Sequence, residues 1–449
     1  MNERPSGGAR EGGLDAPTRH ALGWRDAGYH DAESLERELE RVFDICHGCR
    51  RCFSLCNSFP VLFGHVDDTP TGEVAAVAKP ARWEVVDHCY LCDLCYMTKC
   101  PYIPPHEWNV DFPHLMLRAK ATRFREQGAS ARDRLLSSTD VVGRIGGIPV
   151  VREIVNAATR SRIGRRLLEG TLGVHRDAPL PAFDGASFRR RAAGSKWPQP
   201  EPVAAAGTTG RVGLFVTCYG NRHEPGIVED LVAILIHNGV PVTLAASERC
   251  CGMPKLELGD LDAIAALKER NIPELAALVD TGHDILAVVP SCVLMFRREL
   301  PLMFPDDPDV MRVAARTFDP FEYLMLRHAA GRLRTDFSAS LGKVAYHVPC
   351  HLRVQNIGQK TRELLSLVPG TEIATIERCS GHDGTYAVKR EFRAVSMKIA
   401  QPVVQRAAAA QAAHLASDCP MAASQIAAGL DGALEPEHPL GLLRAAYGI

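Results

Sequence analysis

Fifteen cysteines are distributed along the 449 residues, and their spacing is the first chemistry the chain offers. One run reads Cys46-x2-Cys49-x2-Cys52-x3-Cys56, and a second reads Cys89-x2-Cys92-x2-Cys95-x4-Cys100-Pro101. Three thiolates at x2 spacing can wrap one iron–sulfur cubane, while a fourth sits too far round and reaches a second cluster. Two such runs imply two [4Fe–4S] clusters with crossed ligation. Cys46, Cys49, Cys52 and Cys100 would hold one, and Cys89, Cys92, Cys95 and Cys56 the other. The bland alternative is a pair of zinc sites in an interaction scaffold. Zinc ligands usually come as two separated Cys-x2-4-Cys pairs, which suits three cysteines in unbroken register poorly. Two departures from a bacterial ferredoxin run stand out: Asn57 replaces the usual proline, and four residues, not three, precede Cys100.

The other seven cysteines fall into a repeat. Cys218 to Cys350 spans 132 residues, Cys250 to Cys379 spans 129, and Cys292 to Cys419 spans 127. Glu248-Arg249-Cys250-Cys251-Gly252 is echoed by Glu377-Arg378-Cys379-Ser380-Gly381. Such self-similarity marks an internal duplication. Cys218, Cys250, Cys251 and Cys292 are enough thiolates for a third cluster. Cys350, Cys379 and Cys419 are candidates that lack one, and would need Ser380, a histidine or solvent as the remaining donor. The competing reading is that these cysteines are small buried hydrophobes. Against it, every cysteine belongs to a motif and none is left over. His347 and His351 flank Cys350 closely, and His382 and Asp383 lie in the glycine-rich stretch after Cys379. For the two histidines beside Cys350 the readings are a ligand or proton donor and simple turn hydrogen bonding, while the glycines around His382 and Asp383 let backbone approach a ligand closely. No catalytic residue is assigned.

Elements must position these thiols. Apolar spacing predicts a helix after Asp31, with Leu35, Leu39, Val42 and Phe43 on one face, running into the first cysteine run. Asp111 can cap another helix, ending near Gly128. Residues 118–166 carry 12 Lys/Arg against 4 Asp/Glu, punctuated by Val141, Val142, Ile145, Ile148, Val150, Val151, Ile154 and Val155. That stretch could dock an acidic partner or rest on an anionic membrane surface, although a charge run is more often a solvated face. Residues 175–210 read as an extended Pro/Ala/Gly linker. Beyond 210, buried-strand runs and helices alternate twice, with the cysteines at the carboxyl ends of the strands. That is the edge where open α/β sheets place their ligands.

The one-Cys, Cys-Cys-Gly, Cys order resembles the Cys-Cys-Gly family of heterodisulfide-reductase-related iron–sulfur proteins. It is most similar to the iron–sulfur subunits of anaerobic glycerol-3-phosphate dehydrogenase and glycolate oxidase. Met295 and Ala422 stand where that family carries a last cysteine, and Ser380 where it carries the middle one. Neither copy is complete, which puts disulfide chemistry in doubt. The resemblance implies electron relay between a flavoprotein dehydrogenase and an acceptor such as quinone. Alternatives are a stand-alone thiol/disulfide reductase and an electron donor to a rubrerythrin-like peroxidase.

The expected architecture is α+β multidomain. A disordered tail (1–30) precedes an α-helical ferredoxin domain (31–128) and a basic helical connector with its Pro/Ala/Gly linker (129–209). Two Cys-Cys-Gly α/β repeats follow (210–335 and 336–449). A net charge of −1 gives no global field for nucleic acid. No apolar stretch is long enough to span a bilayer and no signal-peptide pattern opens the chain. The odd, tightly spaced cysteines favour reduced thiolates over disulfides. The expectation is a cytoplasmic protein that can sit peripherally at the inner face of the membrane.

Overall fold

A computed structural model describes residues 18–98 and 100–449, which divide into two compact units, one ending at Gln127 and one running from Gly128 to Ile449. The expected tail lies outside the described residues as far as Pro17. From Thr18 onward the chain is held in place. Arg19 lies between the carboxylates of Asp93 and Asp111, at 2.5 and 2.8 Å, and Trp24 and Tyr29 are buried. Residues 18–30 are therefore a packed segment and not tail. The Gly/Pro-rich stretch before them and their own Gly23 and Gly28 hid two aromatic anchors and one buried cation.

The first unit is helical. Ala32–Cys49 starts at Asp31, whose carboxylate accepts the Ser34 N–H at 2.6 Å. Satisfying an otherwise orphaned donor in this way stabilises a helix by about 1 kcal/mol. Its Leu35, Leu39, Val42 and Phe43 are buried, as their spacing requires. Phe59 and Phe63 of helix Ser58–Asp67, Val85 and Val86 of Lys79–Asp87, and Phe112, Leu115 and Met116 of Phe112–Gln127 are buried with them. Phe59 and Phe112 touch at 4.8 Å between ring centres.

The second unit opens with four helices, Ala131–Ser137, Thr139–Gly146, Pro149–Arg160 and Arg162–Leu172. The extended stretch that follows is strapped to what comes after it. His175 N–H reaches Val388 O, Asp184 N–H reaches Arg222 O, and Thr209 N–H reaches the Asp284 carboxylate. Two four-stranded sheets then form. The first contains β1 (Val212–Phe215), β2 (Val242–Leu244), β3 (Asp284–Ala287) and β4 (Thr317–Phe318), in the order β2-β1-β3-β4. The second contains β5 (Lys343–His347), β6 (Glu372–Ile376), β7 (His414–Ser417) and β8 (Pro436–Glu437), in the order β6-β5-β7-β8.

All six pairings are parallel, so helices must carry the chain back between strands and cover the faces. That explains why β1 and β3 are buried at every residue. Burial of each large side chain there contributes about 1.5–3 kcal/mol. In the second sheet, Ala345, Ile376 and Leu415 pack under Val403, Ala407 and Ile426. The mixed helix and parallel-sheet class expected for this part of the chain is what forms. The two-residue strands β4 and β8 were not anticipated, being too short to show a period.

Candidate functional site

In the helical unit, loops wrap the two cysteine runs. Cys46 and Cys49 end helix Ala32–Cys49, and Arg50 caps it in the left-handed region at φ 51°. Leu91 and Asp93, on either side of Cys92, also take positive φ (57° and 59°). Non-glycine residues adopt this conformation only when their surroundings over-determine it. Here it turns the backbone sharply around each thiol. Burial, followed by the Cys100, Cys52 and Cys49 thiols, pushes Cys46 well above its ordinary value. Burial and then Cys89 push Cys56 up to about 12, against hydrogen bonding from Ser58. Cys95 is pushed up by burial and by Cys89, Cys52 and Cys56. Cys100 thus stands by Cys46 and Cys56 by Cys89, with Cys52 beside both Cys46 and Cys95. Such a crowd of buried thiols cannot ionise together without a strong local positive charge, which is what iron supplies to its thiolate ligands.

In the first repeat every cysteine lies just beyond a strand. Cys218 follows β1, Cys250 and Cys251 follow β2, and Cys292 follows β3. The order β2-β1-β3-β4 reverses direction between β1 and β3, the crevice where open parallel sheets bind ligands. The Glu248 carboxylate accepts the Val216 N–H at 2.8 Å, and burial pushes it up to about 7. Asn271 clasps the loop, accepting from Arg249 N–H at 2.8 Å and donating to Cys250 O at 3.0 Å. Hydrogen bonds from the Cys218 and Cys251 thiols, and then from Gly252 N–H, pull Cys250 well below its ordinary value. Gly252 sits at φ 106°, and a Cβ there would meet Met295 Cε at 2.9 Å. Met295, where the family's last cysteine is missing, fills the space beside the pair as a buried thioether.

Sequence reasoning missed Asn271 and one more distant contributor to this site. Asp140, on the connector helix Thr139–Gly146, accepts the Cys250 backbone N–H at 2.8 Å across 110 residues. Its only prior signal was an acidic residue in the first turn of an amphipathic helix. The connector therefore does more than join units: its first turn finishes the cysteine loop of the first repeat.

The second repeat repeats the placement, with Cys350 beyond β5, Cys379 beyond β6 and Cys419 beyond β7. His347 is a scaffold residue. One ring nitrogen pairs with Ser417 Oγ at 3.0 Å and the other with Arg378 O at 2.9 Å, and burial lowers it to about 4. His351 Nδ1 meets Ser291 Oγ of the first repeat at 2.7 Å. Ser380 Oγ accepts the His382 backbone N–H at 3.4 Å. His382 is buried, with no hydrogen-bond partner for either ring nitrogen among the described residues. The Asp383 carboxylate accepts from the Cys350 thiol at 3.6 Å and from the Cys379 thiol at 3.5 Å. All fifteen cysteines are free thiols. Among the described residues, no three His, Cys, Asp or Glu side chains converge as around a single metal ion. A cubane differs in that its thiolates are spread over four irons.

The family described as "Cysteine-rich domain" (CCG) matches the chain twice, at residues 212–297 and 344–427. A subunit of the anaerobic glycerol-3-phosphate dehydrogenase of Escherichia coli strain K12 is 28% identical over 344 residues, covering 75% of this chain and 82% of that protein. Lactate utilization protein A from an Exiguobacterium species is 31% identical over 195 residues, covering 41% of this chain and 77% of that protein. A subunit of the fumarate reductase (CoM/CoB) of Methanothermobacter marburgensis is 27% identical over 179 residues, covering 39% of this chain and 33% of that protein. Both matched regions contain a complete set of three strand-end cysteine positions. The chain belongs to the cysteine-rich CCG-domain family, and carries the domain in two copies.

Proposed function

We propose that this chain is an iron–sulfur electron-transfer subunit that relays electrons between a flavoprotein dehydrogenase and an acceptor such as quinone. Its helical unit is read as an α-helical ferredoxin domain with two [4Fe–4S] clusters, and its first repeat as the holder of a third. The observation that carries this reading is the crossed grouping of thiols, Cys46 with Cys100 and Cys56 with Cys89. It matches the exchange of the fourth ligand that paired cysteine runs use. Two relatives are named as subunits of a dehydrogenase and a reductase, which supports a role inside a redox assembly. Bound clusters supply one-electron storage. The protein's own residues hold the thiols and bury them, and the Asp93–Arg19–Asp111 lock fixes the second cysteine loop.

Anaerobically purified protein should carry at least about 8 iron per chain, approaching about 12 if the first repeat is filled, at four iron per cluster. Cys100→Ser should disturb the same paramagnetic signal as Cys46→Ser, and Cys56→Ser the same one as Cys89→Ser. About two zinc per chain in place of iron would overturn the reading.

The connector supports peripheral membrane contact. Val141, Ile145, Ile148, Val150, Ile154, Ile163 and Leu167 are exposed on its helices, Ile163 at 81%. Arg144, Arg160, Arg162 and Arg166 are exposed among them. Apolar residues framed by arginines suit a helix lying in an anionic interface. Among the described residues, no helix is long and apolar enough to cross a membrane. The protein should co-sediment with anionic vesicles far better than with zwitterionic ones, and Ile154→Asp with Ile163→Asp should reduce binding at least about tenfold. Equal absence from both vesicle types would remove the membrane from the proposal.

A further inference from the structure

The second repeat has lost a thiol where the first keeps Cys251, since Ser380 occupies that place. It has also gained a carboxylate. Counting from the aligned Cys250 and Cys379, the partner of Asp383 in the first repeat is Pro254, which can donate nothing. Loss of the donor and gain of the carboxylate fall in the same copy.

The backbone aims that carboxylate. Gly381, Asp383 and Gly384 all take positive φ, at 68°, 37° and 50°. Turn hydrogen bonds from Tyr386 N–H to Asp383 O (2.8 Å) and Ala387 N–H to His382 O (3.0 Å) hold the loop in this form. A Cβ on Gly381 would stand 2.2 Å from Ser396 O, so the loop can pass only as glycine. The result places one Asp383 oxygen 3.6 Å from the Cys350 thiol and the other 3.5 Å from the Cys379 thiol. Cys419 lies within electrostatic reach of the same carboxylate.

Asp383 is only 9% exposed. Its side chain has thiols as hydrogen-bond partners and no basic side chain in ion-pair contact among the described residues. Burying a carboxylate against weak thiol donors alone is costly, and a coordinated cation offsets that cost. The other donors weighed for this position are less apt. His347 uses both ring nitrogens in the scaffold, and the Ser380 hydroxyl is engaged within its own loop.

We propose that Asp383 is the missing donor, and that Cys350, Cys379, Cys419 and Asp383 form an iron–sulfur site with three thiolates and one carboxylate. The proposal rests on the reading that the CCG repeats hold clusters. An oxygen donor is harder than a thiolate, so the iron it holds should be the most exchangeable and spectroscopically distinct from an all-cysteine cluster.

The test uses the full chain, purified anaerobically, with iron and sulfide counting and electron paramagnetic resonance. Asp383→Ala and Cys350→Ser should each lose the same iron increment, about four per chain, while the signals assigned through Cys46 and Cys89 persist. Asp383→Cys should keep the iron and change the signal, which guards against a variant that merely misfolds. Retention of all iron and an unchanged signal in Asp383→Ala, or an Asp383→Cys spectrum identical to that of the unaltered chain, would overturn the proposal. Loss of the increment in His382→Ala but not in Asp383→Ala would overturn it too, by making the buried imidazole the donor. If Cys251→Ser also fails to remove iron, the failure lies with the cluster reading of both repeats. If Cys251→Ser removes iron and Asp383→Ala does not, only the carboxylate assignment fails.

Discussion

The two CCG repeats share a strand order and place their cysteines at the same strand ends, but their thiol loops are finished from opposite directions. In the first repeat, the Cys250 loop is supported from outside the repeat: Asp140 of the connector accepts the Cys250 N–H. In the second, two thiols, Cys350 and Cys379, are joined by a residue of the Cys379 loop, Asp383. The scaffolding differs as well. The first loop is clasped by an amide, Asn271, and the second by a buried neutral imidazole, His347. The comparison teaches that duplication conserved the sheet edge, because packing fixes it, while the donors on that edge diverged freely. A loop beyond a strand can change its chemistry without disturbing the core.

The largest expected effect separates the copies outright. Cys251→Ser should remove about four iron per chain and lower electron transfer to a quinone analogue at least about tenfold. It should leave the signal of the second repeat unchanged. An unchanged iron content would deny the first repeat its cluster.

Next comes the outside support. Asp140→Ala removes the acceptor for a buried N–H beside a thiol ligand, and such outer partners are typically worth about 10–100-fold in metal affinity. Iron loss to a chelator should accelerate by that order for the first repeat only. Loss at equal rates from both repeats would show that the connector acts on the whole unit.

A backbone test follows. Gly381→Ala forces a Cβ against Ser396 O in a left-handed conformation and should destabilise the second repeat by about 2 kcal/mol or more. Gly282→Ala, at φ 84° with open space around it, should cost the first repeat only about 1 kcal/mol. Denaturant midpoints give the ranking, and equal shifts would mean that the Gly381 loop can relax.

The smallest effect depends on pH. Burial holds His347 at about 4 against its ordinary 6.5. The folded state therefore binds fewer protons than the unfolded one between these values, and stability rises with pH through that window. Falling from about pH 7.5 to about pH 5.5 should cost about 1 kcal/mol through His347. His382 and His438, also held at about 4 by burial, act in the same direction. His347→Gln should therefore reduce that dependence by about 1 kcal/mol without removing it. Amide exchange of β5 measures it. A slope that His347→Gln leaves intact would assign the dependence to another group.

Much of this molecule is legible without coordinates because its signals are local. Helix Ala32–Cys49 declares itself through Asp31 and four apolar residues at helical spacing. The strands leading to Cys218, Cys292, Cys350 and Cys419 are short apolar runs stopped by turn residues. The duplication can be read from cysteine intervals alone. Residues 18–30 mislead because Arg19 gains its meaning only from Asp93 and Asp111, 74 and 92 positions away.

By itself, the sequence determined the thiol inventory, the x2 spacing that suits a cubane, and the two-fold repetition of an α/β unit with cysteines at its strand ends. Each follows from short-range periodicity and side-chain chemistry. Tertiary structure alone decided which distant groups stand beside those thiols. Asp140 reaches Cys250 because a connector helix packs there, and the partner of a backbone N–H depends on where the chain returns. Asp383 is near Cys379 in sequence, but its carboxylate faces Cys350 as well because three positive-φ residues turn the loop inward. No residue type announces that direction: steric fit against Ser396 and the turn hydrogen bonds set it.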